Sequence, residues 1–243
     1  MFTARLLAAI FVALWLPGCT QPETARLTVF AAASLRDVLP PLGEAYTRET
    51  GMPVDFHFAG STSLVNQIRG GAPADVLITA DLESAESLRP RRSTVVASNV
   101  LVLAGPARLG REGWPERLRA AQRLALGNPQ TVPAGRYAQE GLMHLGLWDA
   151  VSPKVVPCLD VRAAQALVTS GGADVAAVYR TDVGADLVSL WEFPAGSHRP
   201  IRYPACVVPG SRQPERAAGL VAFLAGSAGL KAFRQAGFGP PDQ

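Results

Sequence analysis

Four places in the sequence join a short apolar run to small or helix-capping residues. They are Ser34 after Ala31-Ala32-Ala33, Ser61-Thr62-Ser63 after Phe58-Ala59-Gly60, Val132-Pro133-Ala134-Gly135, and Asp160 ahead of Val161. Ser and Asp at such points accept from first-turn N–H groups, and Ser34 has Asp37 three residues on, the spacing of a capping box. Pro133 suits a first helical position, where no donor is needed, and leaves the N–H groups of Ala134 and its successors free. The chemistry this offers is anion binding, because a helix N-terminus carries about +0.5 of an elementary charge along with its unpaired donors. Any single junction is explained by a self-capped helix; four aimed at one crevice would make a site.

Catalysis fits these residues poorly. Neither Ser34 nor Ser61 sits in a G-x-S-x-G elbow, and no His falls at a matching strand end to serve as base. His57, His144 and His198 are scattered over a strand, a helix and a loop without metal-ligand spacing, so no protein–metal ligands are expected. Asp75 and Asp81 flank a strand and suit lobe-stabilising roles rather than a catalytic pair. There is no G-x-x-x-x-G-K-[ST] loop, so the sequence offers no phosphate-cradling motif of that type.

The elements that must position these junctions follow from apolar periodicity. The run 27–33 predicts a buried strand, followed by a helix with apolar residues at 35, 38, 39, 42, 45 and 46 on one face. A strand at 54–59, a helix at 61–69 and a strand at 76–79 complete a βαβαβ unit, hence a mostly parallel sheet covered by helices. The run 95–104, broken near Ser98-Asn99, could cross to a second lobe, where strands at 123–127, 154–158 and 173–179 alternate with helices at 133–146 and 160–170. A strand at 201–208 returns toward the first lobe, and helices near 215–225 and 227–236 finish on it. In open α/β sheets of this kind, ligands lie beyond the carboxyl ends of the strands.

The 243 residues suffice for one large or two modest domains, and the charge balance of 23 basic against 20 acidic residues leaves a surplus of only three. No run of five like charges marks a nucleic-acid or membrane patch, and no nucleic-acid partner is expected. Arg5 followed by an eleven-residue apolar run at 6–16 is too short for a spanning helix, which needs ~20 residues, and has the form of an export signal. Leu16-Pro17-Gly18-Cys19 resembles a bacterial lipobox, which implies removal of residues 1–18, lipidation of Cys19 and a tether at 19–26; plain signal cleavage is the alternative. Cys158 and Cys206 fall on strands assigned to the second lobe and are compatible either with an exported disulfide or with two buried thiols.

Seven strings, AAASL (31–35), the STSL segment with QI (61–68), GAPADVLITAD (71–81), NVLVLAGP (99–106), GNPQTVPAGRYA (127–138), DVRAAQAL (160–167) and AAVYRTDV (176–183), resemble the molybdate-binding proteins of bacterial ABC importers. The likeness runs in order over roughly 27–238, and GAPAD with VPAGRYA is its most specific part. It implies a two-lobed type II periplasmic-binding-protein fold, with one lobe at 27–98 plus 207–243 and the other at 99–206. It also implies that molybdate or tungstate is held between the lobes as an oxyanion ligand, without a cofactor. The implied anion ligands are Ser34 and Ser61, by hydroxyl and N–H, Ala134 and Val161 by N–H, and Tyr179 by hydroxyl. Gly60, Thr79 and Asn128 depart from the usual residues, none of them a direct ligand.

The further implications are an exported monomer, periplasmic or at the outer face of the cytoplasmic membrane, serving an ABC permease and its ATPase, which hydrolyses the ATP. Receptors for carboxylates usually carry an Arg for bidentate pairing, and these five positions include none. Sulfate or phosphate remains the alternative ligand class. A buried dianion needs many donors to offset its desolvation, and charge-assisted hydrogen bonds contribute about 1.5–3 kcal/mol each. Arg136 and Tyr137 lie beside the site and are expected to pack the helix.

Overall fold

The computed structural model describes residues 26–242; the expected export signal and the expected lipidation site Cys19 lie outside the described residues. The first lobe opens with β1 (Leu27–Ala32), a 3-10 turn (Ala33–Leu35), α1 (Leu39–Thr50), β2 (Val54–Ala59), α2 (Ser61–Arg69), β3 (Val76–Ile78), α3 (Leu82–Glu86) and β4 (Ser93–Ser98). The second lobe contains β5 (Leu101–Gly105), β6 (Leu124–Gly127), α4 (Pro133–His144), α5 (Trp148–Val151), β7 (Val155–Cys158), α6 (Val161–Thr169), β8 (Val175–Tyr179) and β9 (Val188–Glu192). The chain then returns through β10 (Arg202–Val207) and ends in α7 (Pro214–Ala225) and α8 (Ser227–Gln235).

Each lobe is built on a five-stranded sheet, ordered β2-β1-β3-β10-β4 in the first and β7-β6-β8-β5-β9 in the second. Three parallel strands lead each sheet, and the fourth position runs antiparallel: β10 against β3 and β4, β5 against β8 and β9. Those antiparallel strands are also the ones by which the chain enters each lobe from the other. One crossing passes through Asn99-Val100 between β4 and β5, and the other lies between β9 and β10. Because β10 pairs with β3 and β4, residues 202–206 belong to the first lobe's sheet, ahead of the boundary expected at 206/207.

The central strands are continuous apolar runs because helices cover both their faces. Leu27, Val29, Ala31, Val76 and Ile78 in one sheet, and Ala125, Leu126, Val175, Ala177 and Val178 in the other, are fully buried. Each buried Val or Leu stabilises the fold by about 1.5–3 kcal/mol. One close approach matters for the site. A Cβ on Gly135 would sit 1.6 Å from the Gly127 carbonyl oxygen, so only glycine lets the first turn of α4 settle onto the end of β6. That contact fixes where the Ala134 N–H group points.

Two expectations are corrected. Ser34 does not cap a continuous helix: it lies within a 3-10 turn that no side chain caps, and α1 starts only at Leu39, behind Val38. Tertiary partners have claimed both members of the expected capping box, since the Ser34 hydroxyl meets Tyr203 and Asp37 meets Arg162. Cys206 lies in the first lobe's sheet and Cys158 on the edge strand of the second, and both are free thiols, so the placement of both on second-lobe strands does not hold. Burial pushes the Cys206 thiol up to about 11, in keeping with an inert core side chain.

Candidate functional site

The carboxyl ends of β1, β2, β6, β7 and β8 face one another across the crevice between the lobes. Here the chain gathers Ser34, Gly60, Ser61 and Ala80 from the first lobe with Val132, Pro133, Ala134, Asp160, Val161 and Tyr179 from the second. All five residues implied as anion ligands are in this set. They enclose a cavity with about 10 Å³ of room for the centre of a water-sized sphere. That suits a compact ion and not an organic ligand, whose pockets run to hundreds of Å³.

Each wall contributes donors for a local reason. Ala134 and Val161 stand in the first turns of α4 and α6, and Ser61 opens α2, positions whose N–H groups have no partner within their own helix. Asp160 caps α6 by accepting from Ala163 N–H at 2.9 Å, which leaves Val161 N–H for the crevice. Ala80 N–H donates to Ser61 Oγ at 3.0 Å. With one lone pair so engaged, the Ser61 hydroxyl is free to turn its proton to the cavity. Tyr179, only 1% exposed, has a buried hydroxyl with no hydrogen-bond partner among the described residues. Leaving a buried hydroxyl without a partner costs about 1–3 kcal/mol, so this one is an unused donor at the wall of the crevice. Burial, ahead of the neighbouring Tyr203, raises its pKa well above the ordinary phenol range, so it remains a donor.

The lobes are held together at the rim by charge. Arg162, next to Val161, places Nη2 2.5 Å from Asp37 of the first lobe and Nε 2.9 Å from Asp182 of its own. The second contact is an ion pair without hydrogen-bond alignment, and it faces a fully buried carboxylate. Burial pushes Asp182 up to about 7, opposed chiefly by the Arg162 charge. Arg136 pairs with Glu83 across the crevice at 3.0 Å, and Arg199 bridges Glu140 at 2.6 Å and Glu83 at 3.3 Å. Tyr137 Oη donates to the Ala80 carbonyl at 3.2 Å. Arg136 and Tyr137 therefore tie the lobes together instead of only packing their helix.

The remaining candidates have structural duties. Asp75 accepts from Thr28 N–H at 2.9 Å and from Ser211 at 2.6 Å, and Asp81 caps α3 through Ser84 N–H at 2.7 Å. Among the described residues no cluster of His, Cys, Asp and Glu could hold a metal ion.

The hinge contributes what sequence reasoning missed. Asn99, half-buried at the first crossing, and Tyr203, buried on β10, form a hydrogen-bonded chain to Ser34, and the Tyr203 ring meets Tyr179 edge-on with centroids 6.1 Å apart. The break in the apolar run at Asn99 was the only trace of this in the sequence.

Comparison with known proteins bears on what such a crevice holds. The family of bacterial extracellular solute-binding proteins matches over residues 27–239. The molybdate-binding protein ModA of Escherichia coli is 34% identical, with 96% of each chain covered. Among solved structures, the periplasmic molybdate-binding protein of Azotobacter vinelandii is similar with TM-score 0.81 at 25% identity, covering 89% of this chain and 100% of that one. The sulfate-binding protein SubI of Mycobacterium tuberculosis shares the fold, with TM-score 0.76 at 16% identity over 90% of this chain and 88% of its own.

Proposed function

The chain belongs to the bacterial extracellular solute-binding protein family, whose members bind substrates for ABC transporters and are not enzymes, and we propose that it captures molybdate between its lobes. The observation that carries this is the small cavity lined by helix first turns of both lobes, two serines and the orphaned Tyr179 hydroxyl. Ser34, Ser61 and Tyr179 give hydroxyl protons, and Ala134 and Val161 give peptide N–H groups.

All of these donors are neutral, so the anion's charge is met by dipoles and the lobes can reopen without separating an ion pair from the ligand. An oxyanion meets one lobe first; closure then brings the donors of the other, along with the Arg162–Asp37 and Arg136–Glu83 pairs. Tungstate, close to molybdate in size, binds the same way, while sulfate, with its oxygens nearer the central atom, leaves donors stretched. The closed protein delivers its ligand to a membrane permease driven by a separate ATPase, and works as an exported monomer anchored through lipid on Cys19.

Titration calorimetry of residues 20–243 with molybdate, tungstate, sulfate and phosphate tests the reading. One-to-one binding of molybdate and tungstate, with sulfate and phosphate at least tenfold weaker, is the expected result. Sulfate binding as tight as molybdate moves the assignment to the alternative ligand class, and no heat with any of the four overturns it.

A further inference from the structure

The Ser34 hydroxyl can bind an anion only if it donates into the crevice, yet its oxygen lies 3.0 Å from Tyr203 Oη, where either atom could be the donor. The neighbouring hydrogen bonds settle the direction. Val100 N–H donates to Asn99 Oδ1 at 2.9 Å, and a backbone N–H can only donate, so the Asn99 amide has one orientation. Its Nδ2 then faces Thr181 Oγ1 at 2.8 Å and Tyr203 Oη at 3.2 Å, and both of its protons are given away. Having accepted from Asn99, Tyr203 Oη turns its own proton to Ser34 Oγ, and the Ser34 proton is left for the cavity.

We propose that Asn99 and Tyr203 form a polarity relay, anchored at the backbone of the interlobe crossing, that fixes Ser34 as a hydrogen-bond donor to the bound oxyanion. Ser61 reaches the same state more directly, because Ala80 N–H occupies its oxygen. Each serine thus accepts one hydrogen bond from its own lobe and has its proton available for the site before any ligand arrives. Such preorganisation favours a fully deprotonated oxyanion, which only accepts, over a ligand that must donate. Tyr203 and Asn99 are positioning residues, since neither lines the cavity. The relay also joins the site to the hinge, because Asn99 lies at the first crossing while Thr181 belongs to the second lobe and Tyr203 to the first lobe's sheet.

The relay rests on the oxyanion reading of the crevice and is tested by reversing its direction. In Asn99→Asp the donor becomes an acceptor, so Tyr203 turns its proton to residue 99, Ser34 turns its proton to Tyr203, and a lone pair faces the anion. The variant also adds a negative charge, which acts whether or not the relay exists. Molybdate affinity is therefore measured by calorimetry for Asn99→Asp in the parent, Tyr203→Phe and Ser34→Ala backgrounds, with circular dichroism to verify folding. A phenylalanine cannot pass the reversal on, and an alanine cannot receive it.

The loss caused by Asn99→Asp should be about tenfold or more larger in the parent than in either background, the size of one charge-assisted hydrogen bond. Tyr203→Phe alone, which leaves Ser34 free to rotate, should cost less than Asn99→Asp. Equal losses in all three backgrounds mean charge alone and overturn the relay, as does parent-like binding by Asn99→Asp. If Asn99→Asp does not fold, Tyr203→Phe combined with Ser34→Ala decides: additive losses sink the relay and a strongly sub-additive pair supports it. A parent protein that binds none of the tetrahedral oxyanions defeats the crevice reading and the relay together, whereas a binding parent with equal losses defeats the relay only.

Discussion

Replacing Tyr179 by Phe removes one oxygen from a fully enclosed position and should move two properties in opposite directions. With the lobes closed this hydroxyl is buried without a partner among the described residues, so its loss lifts a desolvation penalty of about 1–3 kcal/mol from that conformation and leaves the ring in its edge-on contact with Tyr203. The unliganded variant should be at least as stable as the parent, and up to ~3 kcal/mol more so. With the anion bound, the same oxygen donates a charge-assisted hydrogen bond contributing about 1.5–3 kcal/mol, so affinity should fall roughly 10- to 150-fold. Urea unfolding without ligand and calorimetry with molybdate give the two numbers. A variant that binds as the parent does, or one destabilised by a kilocalorie or more when empty, would refute the assignment of Tyr179 as a ligand held in waiting.

Other changes address the remaining parts of the site. Ala134→Pro deletes a peptide donor from the first turn of α4 and should weaken molybdate binding about 10- to 150-fold, with parent-like affinity in calorimetry removing Ala134 from the ligand set. Asp37→Asn breaks the Arg162 bridge between the lobes, whose Asp side is exposed; affinity should drop about two- to fivefold in low salt, and the difference should shrink at high ionic strength. Asp182 has its folded pKa raised to about 7, above the ordinary carboxylate value, so the folded state holds the extra proton between those limits. Its contribution to stability is therefore greatest below pH ~4 and falls as pH rises to ~7, with a slope of at most about 1.4 kcal/mol per pH unit. Urea unfolding of Asp182→Asn across that window should lack this component, and an unchanged pH slope would contradict it.

Most of the scaffold was legible because it rests on local signals. The buried strands read as apolar runs, α2 and α6 obeyed their helical spacing to within a residue, and Asp160 capped α6 as its type and position implied. Where the sequence misled, tertiary partners had overridden local preference. Ser34 and Asp37 have the types of a capping box, but the bonds to Tyr203 and Arg162 displaced it, and the helix waited until Leu39. The strand β9 has no clear sequence signal because residues 188–192 mix buried, half-buried and exposed positions and pair only at the sheet edge. The ligand positions came from resemblance more than from spacing, and Tyr179 in particular carries no local mark of its role. The roles of Asn99 and Tyr203 were not legible beyond the break in the apolar run, because they lie in the direction of hydrogen bonds between residues 104 positions apart.

The central claim is that a single oxyanion sits between the lobes, touched by Ser34, Ser61, Ala134, Val161 and Tyr179. A crystal structure of the protein grown with molybdate, with data collected across the molybdenum absorption edge, locates the metal centre without regard to any model of the site. One molybdenum peak in the crevice, with its oxygens within hydrogen-bond distance of those five residues, is the predicted result. A peak elsewhere on the surface, or an empty crevice at saturating molybdate, would contradict the account.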